Sequence, residues 1–124
     1  MRIVGIGVDL VEIERVREIL DRRPSFPDRV FTPEEVERCR DAADPAQCLA
    51  ARWAAREAAV KALGGVPGVS WQDIGVEVDG EGRPGLRLEG SARRRADEVG
   101  ASRVLLSISH ERSMAAAFCV AVGD

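Results

Sequence analysis

"AQCLAARWAAREAAVKALGG", residues 46–65, is the stretch whose reading decides the fold. Helix formers fill it from end to end, and the spacing predicts one long helix over about residues 46–63. Leu49, Trp53 and Val60 make an apolar stripe, and Gly64–Gly65 end the helix. At 100° per residue, Glu57 and Lys61 fall on the flank of that stripe, at the edge of a core, where a cleft wall would lie. Arg56 falls within the stripe. The expectation is that its stem packs while its guanidinium reaches outward. Lys61 also stands out by type, being the only lysine among 18 cationic side chains.

Upstream, "RIVGIGVD" reads as a buried strand over residues 2–9. Alternation puts Ile3, Gly5, Gly7 and Asp9 on one face, and Val4, Ile6 and Val8 on the other. The two glycines leave room for something to approach the backbone closely. "LVEIERVREILDRR" then carries Ile13, Val16 and Leu20 at helical spacing. In "FPDRVFTPEEVERCR" a turn precedes a helix: Thr32 suits the N-cap, Pro33 the first helical position, and Glu35 completes a capping box. Downstream, "IGVEV" and "LRLEG" read as strands around the turn "DGEGRPG". "SARRRADEVG" is a short helix, and "RVLLSISH" and "SMAAAFCVAV" are strands joined by a tight turn. The order predicts one α+β domain, residues 1–124, with a small, mostly antiparallel sheet packed with a long central helix and shorter helices.

A chain of 124 residues is long enough for a real core. Its net charge of −3 argues against nucleic acid as the default partner. No apolar run approaches the ~18 residues a membrane span needs. Asp9 and Glu12 interrupt the first apolar run, so nothing there resembles a signal peptide. Cys39, Cys48 and Cys119 are odd in number and not closely paired. The expectation is reduced thiols in a cytoplasmic protein, with Cys119 a small core residue. One histidine and no Cys-x-x-Cys make structural zinc improbable.

Several residues could carry chemistry, each beside a plainer reading. Asp9, ending an apolar strand, is either an N-cap for the next helix or a carboxylate that needs a cation. Glu57 and Lys61 are either an ordinary i,i+4 helix pair or a functional couple. Arginine would serve equally well in a surface pair, whereas an amine is a compact point charge suited to phosphate or to proton handling. His110 ends a strand on the face of Val104, Leu106 and Ile108. Ser107 and Ser109 lie on the opposite face, with no acid spaced for a hydrolase triad. Arg93, Arg94 and Arg95 read as a solvated helix face, being followed by Asp97 and Glu98. Arg15, Arg17, Arg22 and Arg23 leave surplus positive charge on the first helix. Two carboxylates without His or Cys suggest a hard cation, Mg²⁺, with Lys61 beside it to neutralise a phosphate.

"GIGVDLVEIERV", "FTPEEVE", "LAARWAAREAAVKALGG", "DGEGRPGLRLEG" and "LLSISHERSMAAAFCV", in that order, resemble the holo-[acyl-carrier-protein] synthases, short 4′-phosphopantetheinyl transferases of bacterial fatty-acid synthesis. The resemblance runs from about Ile3 to Val122. It implies transfer of the phosphopantetheine arm from coenzyme A to a serine of apo acyl carrier protein, releasing adenosine 3′,5′-bisphosphate. It makes Asp9 and Glu57 the Mg²⁺ ligands, puts Lys61 against the reacting phosphate and His110 near the coenzyme phosphates. It puts Arg52, Arg56, Gly64, Gly82, Arg83 and Pro84 on the coenzyme, and Arg15, Arg17, Arg22 and Arg23 on the carrier protein. It implies a cytoplasmic homotrimer with each site between subunits. The chain departs from the pattern in three places: Arg56 replaces a usual lysine, Trp53 a usual phenylalanine, and Met114 a frequent aromatic residue. Two other classes compete. A Mg²⁺-dependent nucleotide or pyrophosphate hydrolase would not need the basic first helix, and a non-catalytic carrier- or coenzyme-binding module would not need Asp9, Glu57 and Lys61.

Overall fold

The structure, a computed structural model, describes all residues 1–124. Strand β1 (Arg2–Glu12) leads into α1 (Ile13–Arg22), α2 (Phe26–Val30), α3 (Pro33–Arg40) and the long α4 (Pro45–Ala62). A single 3₁₀ turn at Trp71–Asp73 precedes β2 (Ile74–Val78) and β3 (Pro84–Leu88). Helix α5 (Gly90–Val99) and strands β4 (Arg103–His110) and β5 (Met114–Gly123) complete the chain. The strands form an antiparallel sheet ordered β1-β5-β4 and a separate antiparallel hairpin, β2-β3. The α+β class matches the expectation, but Phe26–Val30 forms a helix where a turn is expected, and the expected single sheet is divided in two.

The glycines of β1 are where α4 meets the sheet. A Cβ on Gly5 would lie 2.0 Å from the Ala62 carbonyl oxygen, and one on Gly7 would lie 2.0 Å from that of Ala58. The partner that needed the space is therefore the helix itself, backbone against backbone. The alanines of α4 permit the same closeness from their side: Ala54, Ala55, Ala58, Ala59 and Ala62 are all buried. The helix is covered around most of its circumference, because the core forms two clusters on either side of it. One cluster unites the alanines with β2, β4, β5 and α5; the other joins Leu49 to Ile13, Val16 and Phe31. The single stripe Leu49–Trp53–Val60 is thus too narrow a reading. Small alanines counted as neutral in the sequence carry most of the contact.

Four local expectations are corrected. Strand β1 runs on to Glu12, so Asp9 lies inside the strand opposite Ala117 and caps no helix. A register irregularity between Ile3 and Gly5 turns Ile3 outward, while Val4 packs against the core. Arg95 leaves the supposed solvated face: its Nε donates to the carbonyls of Leu63 (3.1 Å) and Gly65 (3.0 Å), which serves the carbonyl-rich C-terminus of α4. Cys39 and Cys48 are joined as a disulfide with Cα atoms 5.4 Å apart. They meet because α3 turns back onto the first turn of α4 through only four residues, 41–44. Cys119 is the buried core thiol expected, and burial pushes its pKa up to about 12. The capping box is present as read, with Glu35 N donating to Thr32 Oγ1 at 3.3 Å and Thr32 N to Glu35 Oε1 at 2.8 Å. No helix is long and apolar enough to cross a membrane.

The Gly7→Ala variant tests the helix–strand contact. A methyl cannot share space with a backbone carbonyl, so the helix must retreat. Thermal unfolding should show a loss of at least about 3 kcal/mol, the upper range for overpacking, or roughly 10 °C in Tm for a domain of this size. An unchanged Tm would mean that the contact is not tight.

Candidate functional site

Seating α4 against β1 decides which polar groups meet. Asp9 projects from β1 on the same face as Gly7, so it lies alongside the flank of α4 that carries Glu57 and Lys61. The β-carbon of Lys61 would be only 2.9 Å from a Cβ on Gly7, so the lysine stem crosses the strand in contact with it. Its ammonium donates to the Val8 carbonyl and to Asp9 Oδ1, each at 3.2 Å. The i,i+4 pairing with Glu57 does not form as a salt bridge; Lys61 reaches across to the strand instead. Lys61 is half exposed and Asp9 mostly covered, with side chains 53% and 17% accessible, so the ammonium faces both Asp9 and solvent.

Asp9 and Glu57 share the wall of a cavity of about 420 Å³. The rest of its lining is largely apolar, with Val16, Ile19, Phe26, Phe31, Trp53 and Met114, and Arg15 stands at its side. Burial, and next the Asp9 charge, raise the pKa of Glu57 above the ordinary glutamate value, and Lys61 only partly offsets them. No cluster of three or more His, Cys, Asp or Glu side chains exists anywhere in the chain. A cation here would therefore take two carboxylates and complete its shell with water or substrate oxygens, as Mg²⁺ does.

A second cleft, of about 370 Å³, lies on the other side of α4. Arg52, Gly82, Pro84 and His110 line it together, drawn from three segments widely separated in sequence. Arg52 is buried and donates to the Cys48 carbonyl at 3.2 Å, while its Nε has no partner in the protein. His110 stands at the exposed end of β4 on the face of Val104, Leu106 and Ile108, as its parity predicted. In the sheet, His110 pairs with Ala115, which pairs with Val11. Two strand spacings, about 10 Å, therefore separate His110 from β1. Helix α4 runs between, so the two groups of candidates form two separate half-sites in one chain.

Other candidates are placed differently. Arg56 is fully buried with its guanidinium turned inward onto Glu35, so the outward reach expected of it is corrected. Gly64 sits in the turn after α4 with φ of 71°, a conformation glycine accommodates, and its carbonyl faces Arg95. Arg83 is exposed and pairs with Asp79 and Glu81 in its own turn. On α1, Arg17 is held by Asp44 at 3.0 Å and by Glu14 at 3.1 Å, which leaves it least able to meet a partner. Arg22 and Arg23 flank a shallow cleft with Ile19 and Phe26, and the latter two also line the Asp9 cavity. The apolar wall of that cavity was not foreseen. Val16 and Trp53 gave a signal as members of helical stripes and Met114 as a departure from the resembled family, whereas Phe26 and Phe31 come from a segment read as a turn.

The chain matches the family described as the 4′-phosphopantetheinyl transferase superfamily over residues 5–119. It is similar to the holo-[acyl-carrier-protein] synthase of Halothermothrix orenii, with 45% identity over 118 residues covering 94% of each chain. Among solved structures, it is similar to the holo-[acyl-carrier-protein] synthase of Neisseria meningitidis. There the TM-score is 0.88 and the identity 38%, over 97% of this chain and 98% of that one. It is also similar to the Bacillus anthracis synthase in complex with coenzyme A (3′,5′-ADP), with a TM-score of 0.82 and 33% identity over the whole of both chains.

The penalty on ionised Glu57, from burial first and the Asp9 charge second, has a measurable sign. A carboxyl whose folded pKa is raised favours folding when protonated, and that contribution is lost as pH rises through the folded pKa. Glu57→Gln stays neutral throughout. In metal-free buffer it should raise Tm at about pH 7 and leave it unchanged near about pH 3, below the ordinary glutamate range. An equal shift at both pH values would mean that the fold does not penalise ionised Glu57.

Proposed function

Because the chain belongs to the 4′-phosphopantetheinyl transferase superfamily, we propose that it is a holo-[acyl-carrier-protein] synthase. It moves the 4′-phosphopantetheine arm of coenzyme A onto a serine of apo acyl carrier protein and releases adenosine 3′,5′-bisphosphate. The observation that carries this reading is the meeting of Asp9 and Glu57 at one cavity wall, with the Lys61 ammonium bonded to Asp9. Asp9 and Glu57 fit Mg²⁺: both are hard oxygen donors, and their repulsion, which Lys61 only partly offsets, favours a cation between them. When bound, the ion would supply neutralising charge to the pyrophosphate.

The chain's own residues do the rest. Glu57 accepts the proton of the carrier serine hydroxyl, directly or through a water. The serine oxygen forms a bond to the phosphorus that bears the pantetheine arm. The bond from that phosphorus to the oxygen of the adenosine-side phosphate breaks, and the electron pair leaves with adenosine 3′,5′-bisphosphate. Lys61, oriented by the Val8 carbonyl and Asp9, meets the charge that grows on the leaving oxygen. A branched guanidinium would crowd a space already set by Gly7.

Coenzyme recognition falls to Arg52, Gly82, Pro84 and His110, across α4 from the reacting groups. A coenzyme molecule bridging both half-sites within one chain would have to pass around the helix. We assign the bridging to two copies, in a homotrimer whose sites lie between subunits. The outer face of the β1-β5-β4 sheet supports this. It carries Ile6, Val8, Leu10, Leu105 and Phe118, each between 44% and 64% exposed, an apolar face that a second copy would cover. Arg15, Arg22 and Arg23, unlike Arg17, are free to steer an acidic carrier toward the cavity. The product is the loaded carrier of cytoplasmic fatty-acid synthesis.

Intact mass of apo carrier protein after incubation with coenzyme A, Mg²⁺ and this protein tests the reading. The expected result is the mass increment of one phosphopantetheine group, absent without Mg²⁺ and absent with folded Asp9→Ala or Glu57→Ala. Cleavage of coenzyme A with no gain in carrier mass would instead identify a hydrolase. No change in either would leave a binding module.

A further inference from the structure

The buried Arg56 stands one residue before Glu57, and its bonding is unusually complete. Its guanidinium donates twice to Glu35, with Nη1 at 2.9 Å from Oε2 and Nη2 bonded to Oε1. Its Nε donates to the Trp71 carbonyl at 2.9 Å, and Nη1 also reaches the Arg52 carbonyl at 3.3 Å. Glu35 in turn accepts the backbone N–H of Thr32 at 2.8 Å and of Val76 at 3.0 Å. Arg56 is 0% and Glu35 2% exposed. Burial pushes the Glu35 carboxyl up, but the hydrogen bonds and charge of Arg56 outweigh it and hold its pKa below the ordinary value.

A buried ion pair is a weak source of stability, since desolvation cancels much of the attraction; what it supplies is a single geometry. That geometry is connected to the catalytic cavity in three ways. The guanidinium carbon lies 4.8 Å from the centre of the Phe31 ring, and Phe31 lines the cavity. Trp71, fixed through its carbonyl, packs on Trp53 with ring centres 4.8 Å apart, and Trp53 lines the cavity too. The third link is α4 itself. Glu57 is not held by a side-chain hydrogen bond, and only burial and the charges of Asp9 and Lys61 perturb it. Its direction is therefore set by the rotation of the helix. Gly5 and Gly7 fix how deep α4 lies, and the bonds of Arg56 fix its rotation.

We propose that Arg56 and Glu35 are positioning residues for the transfer reaction, a clasp that aims Glu57 at Asp9 and holds Phe31 and Trp53 as cavity walls. This rests on the role of Glu57 proposed above. Replacement of the usual lysine by Arg56 extends the clasp, because only a guanidinium can engage both Glu35 oxygens and the Trp71 carbonyl together. The clasp also touches the coenzyme half-site across α4, through the Arg52 carbonyl and the Val76 N–H, since Arg52 and Val76 line that cleft.

The experiment compares wild type, Arg56→Met, Arg56→Lys and Glu35→Gln. It measures steady-state kinetics, calorimetric titration with Mg²⁺ alone, and tryptophan emission, which reports Trp53 and Trp71 as the only two tryptophans. All are read well below each variant's Tm. Arg56→Met should lower kcat at least about tenfold, weaken Mg²⁺ binding about fivefold or more, and shift the emission. Arg56→Lys should recover most of the kcat. If Arg56→Met does not fold, Glu35→Gln, which keeps the shape and an acceptor, carries the same expectations in milder form. A folded Arg56→Met or Glu35→Gln with wild-type kcat and wild-type Mg²⁺ affinity overturns the clasp, whatever happens to Tm. Absence of transfer by the wild type would overturn the proposed function instead.

Discussion

The contact between α4 and β1 at Gly5 and Gly7 sets the distances on which the rest of the structure depends. Side chains normally keep the backbones of a packed helix and sheet well apart. Here Gly5 and Gly7 on one side and Ala58 and Ala62 on the other remove them, and the backbones touch. Only at that depth can the stem of Lys61 cross the strand beside Gly7 and its ammonium reach both Val8 O and Asp9. The same depth brings Glu57 to the cavity wall that Asp9 shares. Arg95 answers the carbonyls exposed where α4 ends, and Asp44 accepts from Gln47 N where it begins. The helix is thus fixed at both ends as well as along its length.

Much of this was legible in the sequence, for local reasons. Period and capping chemistry are local, so the helices, the capping box at Thr32 and the strand parity of His110 follow from neighbouring residues. The gap at Gly5 and Gly7 was also legible, as space, although its occupant was not. Groups whose partners are distant in sequence were misread. Arg56 finds Glu35, 21 positions away, and Arg95 finds Leu63, 32 positions away. Cys39 and Cys48 are near in sequence but meet only because two helices fold back on each other. Arg17 belongs with the free cations of α1 until Asp44, 27 residues on, takes it. The outer sheet face was hidden for another reason. Ile6, Val8 and Leu10 look like core residues in any alternation count, and nothing local says that a single chain leaves them uncovered.

Placing α4 so deep has a further consequence. The helix becomes a partition, with the carboxylates and the amine on the β1 side and Arg52, Gly82, Pro84 and His110 on the other. Each side is well formed, yet neither holds both sets of groups that the proposed function requires. An apolar sheet face beside such a partition accounts for both features if the functional unit is a ring of copies, each supplying one half-site to its neighbour.

Complementation between two inactive variants measures this directly. Asp9→Ala impairs one half-site and Arg52→Ala/His110→Ala the other. In a cyclic trimer, every mixed ring contains one junction whose two halves are both intact. Random exchange at equal concentrations should therefore restore about one quarter of the wild-type number of sites. Recovery of transfer activity near that level, after co-refolding or co-expression, is the predicted result. Mixed trimers that form, as shown by native mass, but remain inactive would contradict a site shared between copies.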